Sequence, residues 1–171
     1  MLNERILLKG AERIDFTGAL KDFRAFPEFS DDVVSLLRGT DSRDTVVVVD
    51  IGYALEKPIP QLVVDHLNLT GYNPLVGPNN PIGERFPAVT CIYITDNKLL
   101  PQLPSAVAAG VKNRIVPSAD EIELIKSLGA DFYCYNLVPT MIVAAHAGWK
   151  VLGIVCPPGT DLSGTLANLF E

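Results

Sequence analysis

Residues 45–51, Thr-Val-Val-Val-Val-Asp-Ile, constrain the fold more than any other stretch of the chain. Five consecutive β-branched residues, Thr45 to Val49, favour extended backbone. The run lacks the apolar–polar alternation of a strand with one wet face. Such a segment belongs inside a sheet covered on both sides, which calls for helices packed on it.

The rest of the chain supplies the alternation. Ile6 to Lys9 reads as a short strand and Ile14 to Phe16 as a possible second. Ser30 is placed to cap a helix running through Leu37, with Asp31 and Asp32 in its first turn and Gly39 as the stop. Gln61 to Leu69 and Ala88 to Thr95 read as strands. Ser118 and Glu121 form a capping box for a helix carrying Ile122, Ile125 and Leu128 and stopped at Gly129. Ala130 to Tyr135 is expected as a strand, and Val138, Met141, Ile142 and Ala145 share one helical face. A strand over Trp149 to Cys156 and a short helix through Leu162, Leu166, Leu169 and Phe170 complete the pattern. The expectation is an α/β fold, a three-layer-like single domain over residues 1–171 with a mixed central sheet flanked by helices.

Composition narrows the partners. With 48% apolar residues the 171-residue chain can bury a sizeable core or a large subunit contact. Twenty acidic against 14 basic residues leave a net charge of -6, with no basic run, which argues against nucleic acid or an anionic membrane as partner. Cys91, Cys134 and Cys156 lie singly in apolar segments without metal-like spacing, so no metal is expected and they read as buried thiols in a reducing compartment. The N-terminus has no signal-peptide core, and no apolar run has the length of a membrane span. A cytoplasmic protein is expected.

Between the strand at Gln61 and that at Ala88 lies a long loop rich in Gly, Pro and Asn. Long irregular segments in compact domains usually serve a site or a subunit contact. The stretch Asp65 to Pro87 resembles the signature of the trimeric purine nucleoside phosphorylases, D-H-x-N-L…G-x-N-P-L-x-G-P-N…G-x-R-F-P. Asp65, His66, Asn68, Leu69, Asn73, Pro74, Leu75, Gly77, Pro78, Asn79, Gly83, Arg85, Phe86 and Pro87 all match. Leu128-Gly129-Ala130-Asp131, Val138-Pro139, Ile142-Val143-Ala144, His146 and Gly148 are similar to the family's L-G-A-D…S-T-V-P-E-V-I-V-A-R-H-x-G block. Thr45 to Leu55 looks like its central strand and following turn. Residues 40–160 can be laid on the family, residues 1–40 diverge, and family chains are commonly much longer, mainly at the N-terminus.

The resemblance implies a shortened, degenerate version of that fold and a chemistry largely missing its parts. Family members hold phosphate with an N-terminal Gly/Ser loop and an R-x-H-x-Y-E-G segment, and neither is present. The S-F-E that packs on and grips the base falls on Ile115-Val116-Pro117. The M-S-T touching ribose and phosphate falls on Tyr135-Asn136-Leu137, and the T-N supporting the leaving base falls on Pro158-Gly159. The N-A-A-G-G turn becomes Asp50 to Ala54, a phosphate-side turn crowded by Tyr53. The chain reaches Glu171 before the C-terminal helix histidine that meets the ribose.

Losing one well-placed transition-state donor costs roughly a hundred- to a thousandfold in rate. Several such groups are replaced here, so ordinary phosphorolysis is not expected, although an active enzyme with a rearranged site is the alternative. Phe86, Val116, Tyr135, Asn136 and Gly159 are the candidate ligand-binding residues for a small nucleoside or base, with no catalytic residue, cofactor or metal assigned. Phe86 matches the aromatic that, in the family, reaches the neighbouring subunit's site, which implies a homo-oligomer, a trimer or a multiple of it. The plainer readings stand beside these: Phe86 as an interface or core aromatic, and Tyr135 as a plug in a collapsed cavity. Asp65 and His66 point to opposite faces of a strand and brace the loop. His146 is read as a helix-end structural residue, Cys134 as packing, and Glu84 with Arg85 as a surface or interface pair.

Overall fold

The computed structural model describes residues 4–8, 24–26, 28–39, 45–78, 83–89, 92–95, 102–112 and 114–161. Among the described residues seven strands form one mixed sheet, and three helices accompany it: β1 (Glu4–Leu8), β2 (Arg24–Phe26), α1 (Asp31–Gly39), β3 (Thr45–Ala54), β4 (Gln61–Asn68), β5 (Ser105–Gly110), α2 (Ala119–Ser127), β6 (Phe132–Cys134), α3 (Leu137–His146) and β7 (Lys150–Cys156). The α/β expectation holds.

The valine-rich run is the centre of the sheet. β3 pairs in parallel with β1 and with β7, and its end pairs antiparallel with β6. The strands β6, β5 and β4 run parallel to one another, and β4 then meets β7 antiparallel. Five strands, β3–β6–β5–β4–β7, therefore close on themselves, with β1 and β2 extending the sheet beyond β3. Thr45 to Gly52 are buried throughout, as a strand covered on both faces requires.

Helix α3 lies against β3, β4, β5 and β7 and is itself covered by α1. That position buries all ten of its residues, rather than the single face expected from Val138, Met141, Ile142 and Ala145. Its close approach depends on missing side chains. A Cβ at Gly110 would lie 2.7 Å from Val138 Cβ, and one at Gly153 would lie 2.6 Å from the Met141 methyl. The Trp149 indole donates to the Leu37 carbonyl at 2.9 Å and so ties the end of α1 to the α3–β7 turn. The capping box at Ser118 forms as expected: Ser118 N–H donates to Glu121 at 2.7 Å and the serine oxygen accepts from Glu121 N–H. Gly129 and Gly148, at φ 89° and 88°, follow the ends of α2 and α3 in the left-handed conformation that favours glycine.

Several expectations are corrected. Residues 50–54 are not a turn: β3 continues to Ala54, because Gly52, Tyr53 and Ala54 pair with Cys134, Tyr133 and Phe132 of β6. Among the described residues of 88–95 none lies in a strand and only Tyr93 bridges, to Val151. The strand expected over Ala130 to Tyr135 shrinks to Phe132–Cys134, and that at Ile6 to Lys9 is observed as Glu4–Leu8. Strands β2 and β5 were not foreseen. β5 reads Ser-Ala-Val-Ala-Ala-Gly, with only one β-branched residue to announce it. Ile14 to Phe16, the terminal helix after Leu162, Asn79 and Cys91 lie outside the described residues.

Candidate functional site

Helices α1 and α3 pack together, and a cleft lies at each end of the pair. The first is at their N-terminal ends, where the chain leaves β4, β5 and β6. It has a volume of about 580 Å³ and is lined by Phe29 to Asp31, Thr70 to Tyr72, Val111, Lys112, Tyr135, Asn136 and Pro139. Asn136 in this lining is held by Asp50, which is buried at 1% exposure. The Asp50 carboxylate accepts from the backbone N–H groups of Ile51 (2.9 Å), Asn136 (3.1 Å) and Leu137 (2.9 Å), and from the Asn136 side-chain amide (3.4 Å). Two of those donors open α3 and lack intrahelical partners, so an acceptor from β3 satisfies them. Burial pushes the Asp50 carboxyl up to about 6, against the pull of these hydrogen bonds. Asn136 in turn accepts from Phe29 N–H at 3.1 Å, so its side-chain oxygen and nitrogen both hold neighbouring protein.

Tyr135 flanks Asn136 and joins an aromatic group on the sheet. Tyr53 stacks on Tyr133 with ring centroids 5.0 Å apart, and Tyr135 meets both edge-on at 5.8 and 6.1 Å. The Tyr135 hydroxyl donates to the Ile115 carbonyl at 3.3 Å. An exposed ion pair, Arg114 to Glu28 at 3.2 Å, connects two segments that flank the cleft.

The second cleft, about 320 Å³, lies at the C-terminal ends of α1 and α3. Arg38, Arg85 and His146 line it together with Phe86 and residues 74–78. Gly83 brings this segment onto α3, since a Cβ there would collide with the His146 carbonyl oxygen. The Arg85 guanidinium sits 5.8 Å from the Phe86 ring centroid. Arg85 thus leans on Phe86 rather than pairing with Glu84, and no ion pair joins those two charged residues. Burial, and then Arg38, hold the His146 imidazole below its ordinary range.

The five candidate residues are not gathered in one place. Tyr135 and Asn136 share the first cleft, and Phe86, 84% exposed, lies in the second. Val116, 73% exposed, sits on the segment before α2, and Gly159 occupies an open turn after β7. Reasoning from the chain alone missed Lys112 and Phe29 in the first cleft and Arg38 in the second. Lys112 follows the unforeseen β5, and Arg38 looks like an ordinary cation in a helix's last turn.

Asp65 and His66 do not pair through their side chains. Asp65 accepts from His66 N–H at 2.8 Å, while His66 Nδ1 and the Tyr93 hydroxyl share a hydrogen bond. Burial lowers His66 and raises Tyr93 well above the ordinary phenol range, so both are neutral near pH 7. His66 therefore braces residues 92–95, and the loop after β4 is held by Asn68, Thr70 and Asn73 instead. Cys134 and Cys156 are buried and free, with burial raising both thiols, Cys156 to about 12. Neither is a thiolate at neutral pH. Among the described residues no three His, Cys, Asp or Glu side chains converge as metal ligands, and no helix is long and apolar enough to cross a membrane.

No family model matches the chain. It is 36% identical over 105 residues to purine nucleoside phosphorylase 1 of Bacillus subtilis, a match covering 56% of this chain and 39% of that protein. The similarity to purine nucleoside phosphorylase 1 of Geobacillus stearothermophilus is 37% over 108 residues, covering 56% and 38%. With the mouse purine nucleoside phosphorylase it is 36% over 110 residues, covering 54% and 37%. The chain thus spans about two fifths of the length of the curated relatives it matches. A Schistosoma purine nucleoside phosphorylase solved in complex with guanosine shares the fold, with a TM-score of 0.61 at 24% identity over 66% of this chain and 48% of that one.

Proposed function

The chain is a relative of the purine nucleoside phosphorylases, and from that premise we propose that it binds a nucleoside- or base-like ligand in the first cleft without carrying out ordinary phosphorolysis. One observation carries this reading. Asn136, a buried polar residue of the cleft lining, and its hydrogen-bond partner Asp50 hold the start of α3, each other and the Phe29 backbone. Neither is poised over the cleft as an acid, a base or an anion-stabilising donor. Phe29, Tyr72 and Tyr135 offer faces and edges to a planar heterocycle, and Lys112 is the cleft's one cationic side chain among the described residues.

The reading includes a homo-oligomer, a trimer or a multiple of it, built as single-domain subunits in the cytoplasm. Phe86 and Val76, each 84% exposed, and Tyr72, 56% exposed, project from the loop that resembles the family's subunit-contact signature. Exposed apolar groups clustered on one loop favour a contact. The buried, free thiols agree with a reducing compartment.

Two measurements on the purified protein test the proposal. Inosine and phosphate should yield no hypoxanthine at a usable rate. Purine bases or nucleosides should raise thermal stability, by about 2.7 kcal/mol at a hundred times the dissociation constant. Steady phosphate-dependent release of hypoxanthine would establish instead an active enzyme with a rearranged site, a reading favoured by Lys112 in the cleft. Silence of the whole thermal panel would remove the ligand. Light scattering at micromolar concentration should report more than one chain per particle, and a monomer would remove the oligomer.

A further inference from the structure

The second cleft supports an inference separate from the ligand of the first. Its lining has a composition unusual for this chain. Arg38, Arg85 and His146 converge from three elements, and among the described residues no carboxylate lines the cleft, although acidic residues outnumber basic ones 20 to 14 overall. Part of this has an ordinary cause. Arg38 and His146 stand in the last turns of α1 and α3, where cations complement the negative ends of the helices. Arg85 has no such cause. It arrives on a separate segment, seated on α3 through Gly83, and rests over the Phe86 ring. A guanidinium held in this way keeps its forked donors available for an oxyanion while its planar face is occupied.

We propose that the cleft formed by Arg38, Arg85, His146 and the loop at Pro74 to Pro78 is a binding site for a phosphate group, free or borne by a small metabolite. Its volume of about 320 Å³ leaves room beside the anion for a small organic group. The site differs from the first cleft in position and character. With 1.5 Å of rise per residue, Asp31 at the rim of the first cleft and Arg38 in the second are roughly 10 Å apart along α1. Glu84 lines an adjoining groove that shares His146 with this cleft.

The two histidines make the test direct, because His146 reports on the second cleft and His66 lies away from it. Inorganic phosphate, titrated against sodium chloride at matched ionic strength, should raise the apparent pKa of His146 in NMR and leave His66 unmoved. Thermal stability should rise in parallel. Arg85→Gln, at an exposed position, should fold normally by the His66 signal and weaken phosphate by about tenfold. Tighter binding of glycerol phosphate than of inorganic phosphate would assign the borne form, and equal binding the free ion. A His146 signal unmoved by phosphate overturns the proposal. So does an equal response in Arg85→Gln, or a response abolished by Lys112→Gln, which would place the anion in the first cleft.

Discussion

The two clefts at opposite ends of the α1–α3 pair use buried polarity in opposite ways. At the N-terminal ends a buried carboxylate, Asp50, is saturated with backbone donors, and the adjoining cleft mixes Phe29, Tyr72, Val111 and Tyr135 with Asp31, Thr70, Lys112 and Asn136. At the C-terminal ends cationic and imidazole groups gather, with no carboxylate in the lining among the described residues. Each arrangement follows the local helix field, negative groups at N-termini and positive ones at C-termini. The difference is in commitment: the polar groups of the first cleft hold the fold, while Arg85 in the second is positioned by a ring contact.

The largest expected effect breaks the first cleft. Asp50→Ala leaves the N–H groups of Asn136 and Leu137 buried without their acceptor and should destabilise the protein by about 4 kcal/mol in urea unfolding. A loss below about 1 kcal/mol would mean that Asp50 does not organise the start of α3.

The pH dependence should separate the two ends by sign. The Asp50 carboxyl is raised from 3.8 to about 6 in the folded protein. Its contribution is therefore present below pH 4 and is lost as pH rises from about 4 to 6. That is about 3 kcal/mol. Relative to Asp50→Asn, the natural chain should gain this amount between pH 6.5 and pH 4. His146 is lowered by burial and by Arg38, so its contribution runs the other way and is lost as pH falls below the ordinary imidazole range. His146→Gln should relieve that acid loss. Parallel pH curves for the natural chain and both variants would erase the contrast.

The smallest of these effects concerns what the clefts share. Gly110→Val forces a side chain into Val138 of α3 and should cost about 2 kcal/mol, with altered aromatic NMR signals at Tyr135 as well as imidazole shifts at His146. Changes confined to one cleft would show that α3 does not couple them.

Much of this architecture is legible along the chain, because it rests on local rules. The valines of β3, the Ser118–Glu121 capping box and Gly129 each act within a few residues and are found where they are expected. β5 escaped notice because Ala and Gly have little strand preference, and its place follows from pairing with β4 and β6. Residues 50–54 read as a turn through the family resemblance, yet hydrogen bonding to β6 extends them as strand. Of the candidate site residues, Tyr135 and Asn136 share a cleft, while Phe86, Val116 and Gly159 lie elsewhere. Motif correspondence gives a residue's place in the chain, and convergence depends on contacts the motif does not contain.

The amino-acid order alone determined an α/β chain with a doubly covered central strand, an acidic surface balance and a loop carrying a phosphorylase-like signature. It did so through propensity, capping and spacing, which are short-range. Tertiary structure alone decided that β4 returns to β7 to close the sheet, that Asp50 meets Asn136 across 86 positions, and that Arg38, Arg85 and His146 share one cleft. The reason is physical: those contacts exist only once distant segments are packed, and packing depends on every segment at once.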